Sequence, residues 1–198
     1  MTTVGDNGRV AYITSVSGER LYQGEIVSNV VERVVTCGGH SDNASYNEFI
    51  HPYMVVVTQD CDLQQDDRER RETAGDDRRR KLLPWILLVE AFNFEETAPD
   101  LFAGREIKKQ AKQNKVERYQ FLASVSSIED ADGQGVPSLV LDFRLILSYP
   151  TKELFDAFER GETRRRARLN ALYAEHLSNR CAHFLQRIGL PVDHHDLP

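Results

Sequence analysis

The sequence predicts a mainly β fold with C-terminal helices, in which a small barrel is closed by the helices. Short apolar segments, separated by polar loops and glycines, occupy the first two-thirds of the chain, as is typical of successive strands. The last third has a different period. Its apolar residues from Leu169 onward recur at spacings of three and four, which indicates an amphipathic helix. The expected order is six strands followed by two helices.

The predicted strands differ in how clearly their pattern shows. The segment 139–149 alternates apolar and polar residues, so we expect one buried face and one exposed face. The apolar runs at 53–57 and 84–92 are continuous, which is typical of strands buried on both faces, and we expect them at the centre. The remaining predicted strands cover residues 10–16, 24–35 and 119–125.

Two helices are predicted after the last strand. The first covers 151–161, and the second is long, with Thr163 as its N-cap. Between two of the strands, the polar segment 98–117 is expected to be partly helical. We therefore divide the chain into a barrel with polar insertions at 1–158 and a helical extension at 159–198, which packs on the barrel or on a partner.

Composition and charge narrow the function classes. A chain of 198 residues with 40% hydrophobic content can bury a sizeable core without a metal or a disulfide. Its net charge of -6 argues against a protein that coats nucleic acid. The three cysteines form no regular framework and no leader pattern opens the sequence, so we expect a cytoplasmic protein with free thiols. No apolar run approaches the roughly 20 residues that span a bilayer, so no membrane association is expected.

Several short motifs stand in the order found in the PemK/MazF toxin family. Gly24-Glu25-Ile26-Val27 opens one predicted strand, and His51-Pro52 opens the next. The segment from Leu145 to Leu154 continues from a late strand into a short helix. The chain resembles that family over residues 20–158. The resemblance implies a diverged SH3-like barrel with a C-terminal helical extension, in a bacterial protein of a stress, toxin-antitoxin or phage-defence system.

The same resemblance implies where catalytic residues would lie. Members of the family that cut RNA use an arginine near the start of the second strand and a hydroxyl residue at the end of the third. Here His51 occupies the arginine position, and the strand that ends in "AFNF" has no serine or threonine there. We therefore expect the chain to lack the family's catalytic residues.

The stretch "TQDCDLQQDD" places Cys61 between Asp60 and Asp62 at the end of an apolar strand. Two carboxylates beside a thiol disfavour the thiolate, so we do not expect Cys61 to be a nucleophile. On a continuing strand the two aspartates would share one face, where they could act as general acid and base or bind a divalent cation. The alternative is a turn in which Cys61 packs inward and the aspartates hydrogen-bond the backbone.

A zinc site can be assembled from two cysteines and two histidines. The glycine turn "CGGH" supplies a Cys-x-x-His pair, and two further ligands around the next strand would complete a tetrahedral set. The set consists of Cys37, His40, His51 and Cys61. The alternative is a glycine turn with a surface histidine and no cofactor.

Two basic runs are candidate contacts for nucleic acid or for an acidic partner. The first run consists of Arg78, Arg79, Arg80 and Lys81. It lies among acidic residues, which favours a solvated loop. The second run consists of Arg164, Arg165, Arg166 and Arg168. We expect it at the start of the long helix, where the helix dipole disfavours cations unless an anionic partner is present.

Three functions are compatible with these features. The first is an interaction module, in which the helical extension binds a protein partner or a second copy of the chain. The second is a toxin-like endoribonuclease or a metal-dependent hydrolase that uses Asp60, Asp62 and His51. The third is a protein that binds RNA or DNA through the two basic runs. The acidic charge, the missing toxin residues and the regular amphipathic helix favour the first.

Overall fold

A computed structural model describes residues 11–15, 18, 20–36, 45–72, 82–102 and 104–186 of the chain. These residues form seven strands and five helices. The strands are β1 (Tyr12–Thr14), β2 (Glu25–Thr36), β3 (Ser45–Val56), β4 (Trp85–Asn93), β5 (Tyr119–Leu122), β6 (Leu139–Pro150) and β7 (Arg164–Leu169). The helices are α1 (Asp60–Glu72), α2 (Phe94–Leu101), α3 (Arg105–Lys112), α4 (Thr151–Glu159) and α5 (Ala171–Leu185). The prediction of a mainly β fold with helices is confirmed.

All seven strands belong to one antiparallel sheet in the order β1-β7-β2-β3-β4-β6-β5. β1 and β5 are its edges, and no ladder joins them within the described residues, so the sheet is open. The finer prediction of a closed SH3-like barrel is therefore not supported. The two edges nevertheless lie close together, because the Tyr12 hydroxyl of β1 donates to the carbonyl of Ala123, just beyond β5, at 2.6 Å.

The two faces of the sheet are covered by different helices. One face packs against α5, which contributes Leu177 and Phe184 to the apolar cluster there. The other face packs against α1 and α4, which contribute Leu63 and Leu154. A third cluster joins α2 and α3 to β5 and β6. Among the described residues, no helix is long and apolar enough to cross a membrane.

The segment 164–169 is strand β7, whereas the sequence pattern predicted the start of a long helix. β7 lies between β1 and β2, and its Ala167 and Leu169 alternate into the core. Pairing on both sides overrides the local helical pattern. Thr163, the predicted N-cap, instead donates its hydroxyl to the backbone of β2 at 3.1 Å. The segment assigned to a helical extension therefore supplies an inner strand of the sheet.

Residues 60–72 form helix α1, whereas the sequence analysis expected the end of a strand and a turn. Leu63 and Asp66 are both buried and lie one turn apart. Asp66 and Asp67 each pair with the arginine four residues later, a spacing that brings side chains together on a helix. The helix is hard to recognise from sequence because Leu63 is its single buried apolar side chain among the described residues.

Candidate functional site

Asp60 is the first residue of α1 and pairs with Arg20. The Arg20 guanidinium donates to both Asp60 oxygens, at 2.9 and 2.7 Å, and the backbone N–H of Gln23 donates to Oδ1 at 3.3 Å. Burial by itself raises the pKa of Asp60, but the hydrogen bonds and charge of Arg20 outweigh it and hold the pKa below its usual value. A carboxylate that stays ionised has no proton to donate near neutral pH, so this geometry does not favour a general-acid role for Asp60.

Cys61 and Asp62 lie on other sides of the helix. Successive α-helical residues are separated by about 100°, so Asp60 and Asp62 do not share the face that the strand prediction assigned to them. Cys61 is exposed, and its thiol lies 3.6 Å from the side-chain oxygen of Gln59. The prediction that Cys61 packs inward is wrong, because the helix turns it toward the surface.

His51 lies on β3 between two glutamates of neighbouring strands. Its Nδ1 is 2.8 Å from a carboxylate oxygen of Glu90 on β4, and its Nε2 is 3.2 Å from one of Glu32 on β2. Both ring nitrogens face acceptors, so a protonated ring donates to both carboxylates. Within the described part of the chain, no hydrogen bond connects His51 to Asp60 or Asp62, and the three residues predicted as catalytic do not form one hydrogen-bonded site.

Of the four predicted zinc ligands, the structure describes two, His51 on β3 and Cys61 on α1. Cys37 and His40 lie outside the described residues. Both nitrogens of His51 contact carboxylates, and Cys61 lies on the exposed side of α1. In the ranges that the structure describes, no group of three or more His, Cys, Asp or Glu side chains is placed to hold a metal ion. A zinc ion or another divalent cation stays a prediction from the sequence.

Three arginines of β7 pair with carboxylates of the same chain. The pairs are Arg164 with Asp132 at 2.7 Å, Arg165 with Glu25 at 2.5 Å, and Arg166 with Asp130 at 2.7 Å. Each of these guanidinium groups is therefore neutralised inside the fold, which accounts for the basic run without an external anion. The other predicted run, 78–81, lies outside the described residues. Contact with RNA or DNA stays a prediction.

Arg168, the last arginine of the run, lines a cavity together with Asp60. The cavity has a volume of about 300 Å³ and lies between β1, β7, the segment before β2 and the first turns of α1 and α5. The Cζ atoms of Arg20 and Arg168 lie 4.0 and 3.6 Å from the centre of the Tyr22 ring. The structure thus brings together Asp60 and Arg168, which the sequence placed in two separate sites. Arg20 and Tyr22 were missed, because nothing local marks a contact between residues 40 positions apart.

The outer halves of β2 and β3 form a two-stranded arm, residues 31–36 and 45–50, which we call the β2–β3 arm. In the described residues these positions pair only with each other, because β7 pairs with β2 at 25–28 and β4 pairs with β3 at 53–56. The exposed large apolar side chains on the arm are Val34 (39%), Val35 (62%), Tyr46 (62%), Phe49 (50%) and Ile50 (65%). Adjacent apolar residues in a strand face opposite sides, so the pairs at 34–35 and 49–50 are the sequence signal that could have identified this surface.

The apolar stripe of α5 is not available to a partner. Ala174, Leu177, Cys181 and Phe184 are all buried and pack against the sheet of their own chain. Burial raises the pKa of the Cys181 thiol, which disfavours the reactive thiolate. The prediction that a partner binds through this stripe therefore loses its main support. Leu172, Tyr173 and Leu185 of the same helix are exposed, and a larger group of exposed apolar side chains lies on the β2–β3 arm.

Comparisons with protein-family models, with curated proteins and with solved structures find no match for this chain. The likeness to the PemK/MazF family therefore stays a prediction from short motifs, and the function is inferred from the β2–β3 arm.

Proposed function

We propose that the protein is an interaction module that associates through the β2–β3 arm, with a second copy of the same chain as the partner. The observation that supports it is the set of exposed large apolar side chains on the arm. Val35, Tyr46 and Ile50 share one face, and Val34 and Phe49 lie on the other. Apolar side chains clustered on a projecting element are typical of protein-binding surfaces. The proposal keeps the interaction function that the sequence favours and moves it from the helix to the arm.

The size of the arm supports a covering partner. Among the described residues, the arm pairs with no third strand. A two-stranded ribbon on its own is only marginally stable in water, because it buries little apolar surface. The arm extends beyond the last ladder to β7 on one side and to β4 on the other. Its outer strand edges therefore carry backbone groups that a second chain can also approach. Burial of the exposed side chains stabilises both the arm and the complex.

The choice of a second copy rests on the charges at the middle of one arm face. Arg33 lies directly opposite Glu48 and donates to it at 2.9 Å. The rows on either side of this pair, Val35 with Tyr46 and Val31 with Ile50, are apolar. Because directly opposed residues share a face, the three rows form one stripe that is apolar, charged and apolar again.

This stripe is self-complementary about one kind of two-fold axis. Two arms can pack face to face and point in the same direction. A two-fold axis that lies between them, parallel to the strands, then places β2 of one copy against β3 of the other. Arg33 then meets the partner's Glu48, and the apolar rows meet apolar rows. An axis perpendicular to the strands would instead place Arg33 on the partner's Arg33, which is repulsive. The proposed dimer is therefore isologous, with arms that point the same way.

Charge reversal tests this geometry. We expect the wild-type chain to form a dimer that dissociates on dilution, measured by sedimentation velocity. Arg33→Glu and Glu48→Arg each create like charges in both copies, so each variant alone is expected to be monomeric. An equimolar mixture of the two is expected to form a heterodimer, because both pairs between the chains are then opposite in charge, while the one pair within each chain remains repulsive.

The equimolar mixture distinguishes a loss of dimerisation from a loss of folding. A variant that merely misfolds gains nothing from its counterpart, whereas the proposed axis requires that the mixture associate. As a matched control, Lys108→Glu reverses the charge of another exposed pair, Lys108 with Glu95 on α3 and α2, and should leave the dimer unchanged. A wild-type chain that sediments as a monomer at all concentrations, or a mixture that stays monomeric, would contradict the proposal.

The apolar part of the surface is tested separately. Ile50 is 65% exposed on the arm, and Ile128 is 80% exposed in the loop between β5 and β6. Removing apolar contact area of one isoleucine costs about 1.5–3 kcal/mol, so Ile50→Ser should weaken the dimer at least about tenfold. Ile128→Ser should have no effect on the sedimentation profile. Equal behaviour of the two variants would show that the arm is not the interface.

A further inference from the structure

Another cavity lies between α1 and α4, on the side of the sheet opposite α5. Its volume is about 400 Å³, which is within the range typical of small-molecule sites. Phe155 and Phe158 of α4 supply apolar lining, with their rings edge to face and the ring centres 6.0 Å apart. Asp67 and Arg71 of α1 belong to the same lining. Aromatic rings and charged groups therefore face one space.

The aromatic part of the lining is anchored in the fold. Phe155 and Phe158 are partly buried and pack against the apolar cluster between the sheet and these helices. The guanidinium of Arg70, which pairs with Asp66 at 2.6 Å, lies over the Phe155 ring, with its Cζ atom 4.7 Å from the ring centre. The faces of aromatic rings attract cations. The two rings therefore offer a fixed apolar surface that is compatible with a positive charge nearby.

Glu159 is the carboxylate of this lining that has no partner among the described residues. It is the last residue of α4, it is exposed, and no hydrogen bond or ion pair joins its side chain to another described group. The next residue, Arg160, pairs with Glu162 at 2.7 Å instead. The C-terminus of a helix is the negative end of its dipole, where a cation is favourable. This position is therefore suited to a positively charged group.

The arginines of the lining are each matched by a carboxylate. Arg71 donates to both oxygens of Asp67 at 2.9 Å. Arg165 donates to both oxygens of Glu25, which is fully buried behind it, at 2.5 and 2.9 Å. Because these pairs are neutral, Glu159 leaves a net negative charge on the described lining. The whole chain has a net charge of -6, which also favours a cation over an anion.

We propose that this cavity binds a small organic cation, an amine whose ammonium group contacts Glu159 and whose hydrocarbon part lies against Phe155 and Phe158. The ammonium supplies the charge that Glu159 lacks, and the rings bury the apolar part of the ligand. The site shares no residue with the β2–β3 arm, so it is independent of the proposed dimer.

Isothermal titration calorimetry on the full chain with matched probes tests the assignment. The probes are 2-phenylethylamine, which is charged at neutral pH, its uncharged analogue 2-phenylethanol, and methylammonium as a cation with little hydrocarbon. We expect saturable binding of 2-phenylethylamine with Kd of about 1 mM or lower. Binding of 2-phenylethanol should be about fivefold weaker, the range that one exposed ion pair provides, and binding of methylammonium should be weaker still. Equal affinity for the amine and the alcohol, or no saturable binding of the amine, would overturn the proposal.

Two variants of α4 assign the binding to this cavity. Glu159→Gln is expected to weaken 2-phenylethylamine about fivefold and to leave 2-phenylethanol unchanged, because it removes the charge and keeps the shape. Glu153→Gln makes the same change of charge at an exposed residue of the same helix that does not line the cavity, and it should leave both affinities unchanged. Both side chains are exposed, so neither substitution should impair folding. Unchanged affinity for the amine in Glu159→Gln, or an equal loss in the two variants, would show that the amine does not bind at Glu159.

Discussion

Gly24 lies where β2 begins and where three parts of the fold converge. Its N–H donates to the carbonyl of Val56 at 2.8 Å, and its carbonyl accepts from Leu169 at 3.0 Å. The backbone has a φ of +78°, in the left-handed region that favours glycine. The sequence analysis recognised this glycine only as the start of a strand motif, and the close approach of α5 gives the physical reason for it.

Gly24→Ala is expected to destabilise the protein more than Gly161→Ala. Gly161 has a similar φ of +72°, and no heavy atom lies within 4 Å of the position that an added methyl group would take, so alanine there meets only the backbone strain of about 1–2 kcal/mol. At Gly24 the methyl group also meets two Cβ atoms that are fixed to the backbone, which adds about 1–3 kcal/mol. Urea unfolding of both variants measures the difference, and equal losses would contradict this account of the packing.

At the scale of elements, helix α5 was predicted from its spacing, and its Leu177, Cys181 and Phe184 are buried, whereas Leu172, Tyr173 and Leu185 of the predicted stripe are exposed. The sequence left open whether the stripe packs on the same chain or on a partner. Periodicity shows that one side of a helix is apolar, and it does not show whether that side meets the same chain or another. The segment 164–169 was predicted as the start of a helix because its arginines hide the alternation of apolar and polar residues that is typical of a strand. One of these arginines, Arg166, is buried and pairs with Asp130. A buried ion pair between residues 36 positions apart leaves no local signal.

Leu177→Ala should therefore reduce the stability of the isolated chain. Leu177 is fully buried in the cluster between α5 and the sheet, so its truncation is expected to cost about 2–5 kcal/mol. Leu172 on the same helix is 51% exposed, and Leu172→Ala should change the free energy of unfolding by no more than about 0.5 kcal/mol. The two values are obtained from urea titrations. A loss in Leu177→Ala that appears only in a complex would indicate that the stripe serves a partner instead.

At the scale of the whole molecule, the open edges of the sheet are connected by the loop between β5 and β6. Asp130 in that loop is buried and accepts two hydrogen bonds from Arg166 of β7, together with three from backbone N–H groups of its own loop. Burial raises the pKa of Asp130, but the Arg166 hydrogen bonds and the loop N–H groups outweigh it, and the net pKa lies below its usual value. One carboxylate therefore couples the far edge of the sheet to an inner strand.

The lowered pKa values of Asp130 and Asp60 predict loss of stability in acid. For a group whose folded pKa lies below its unfolded value, the stabilisation is complete above the unfolded pKa of about 4 and decreases as the pH falls through the folded value. We expect the free energy of unfolding to be steady from neutral pH down to about pH 5 and to decrease below about pH 4. Urea unfolding across this pH range measures how the free energy of unfolding changes with pH.

Asp130→Asn should reduce the change of the free energy of unfolding with pH. At neutral pH the change leaves Arg166 buried without its counter-ion, at a cost of about 3–5 kcal/mol. The difference between the variant and the wild type should shrink as the pH falls from about 4 through the lowered pKa of folded Asp130. Asp132→Asn is the matched control, because its partner Arg164 is half exposed, and a loss of no more than about 1 kcal/mol is expected. A variant that keeps the full wild-type slope would show that the acid response arises elsewhere.

The sequence by itself determined the mainly β class, the approximate positions of six strands and the two C-terminal helical segments. It could do so because spacings of two, three and four are local properties of the chain. The strand at 139–149 and the helices at 151–161 and after Leu169 all show such spacing, and the structure confirms each of them.

Only the tertiary structure shows that the sheet is open and that it contains the additional strand β7. It also shows that residues 60–72 form helix α1 and how the candidate residues are grouped. Each of these depends on contacts between distant positions, such as Arg20 with Asp60, that no short window of sequence contains. The same reason explains why Asp60 and His51 were expected in one site and lie in two. It also explains why Leu177, Cys181 and Phe184 of α5 are buried while apolar side chains of the β2–β3 arm are exposed, because burial is a property of the assembled fold.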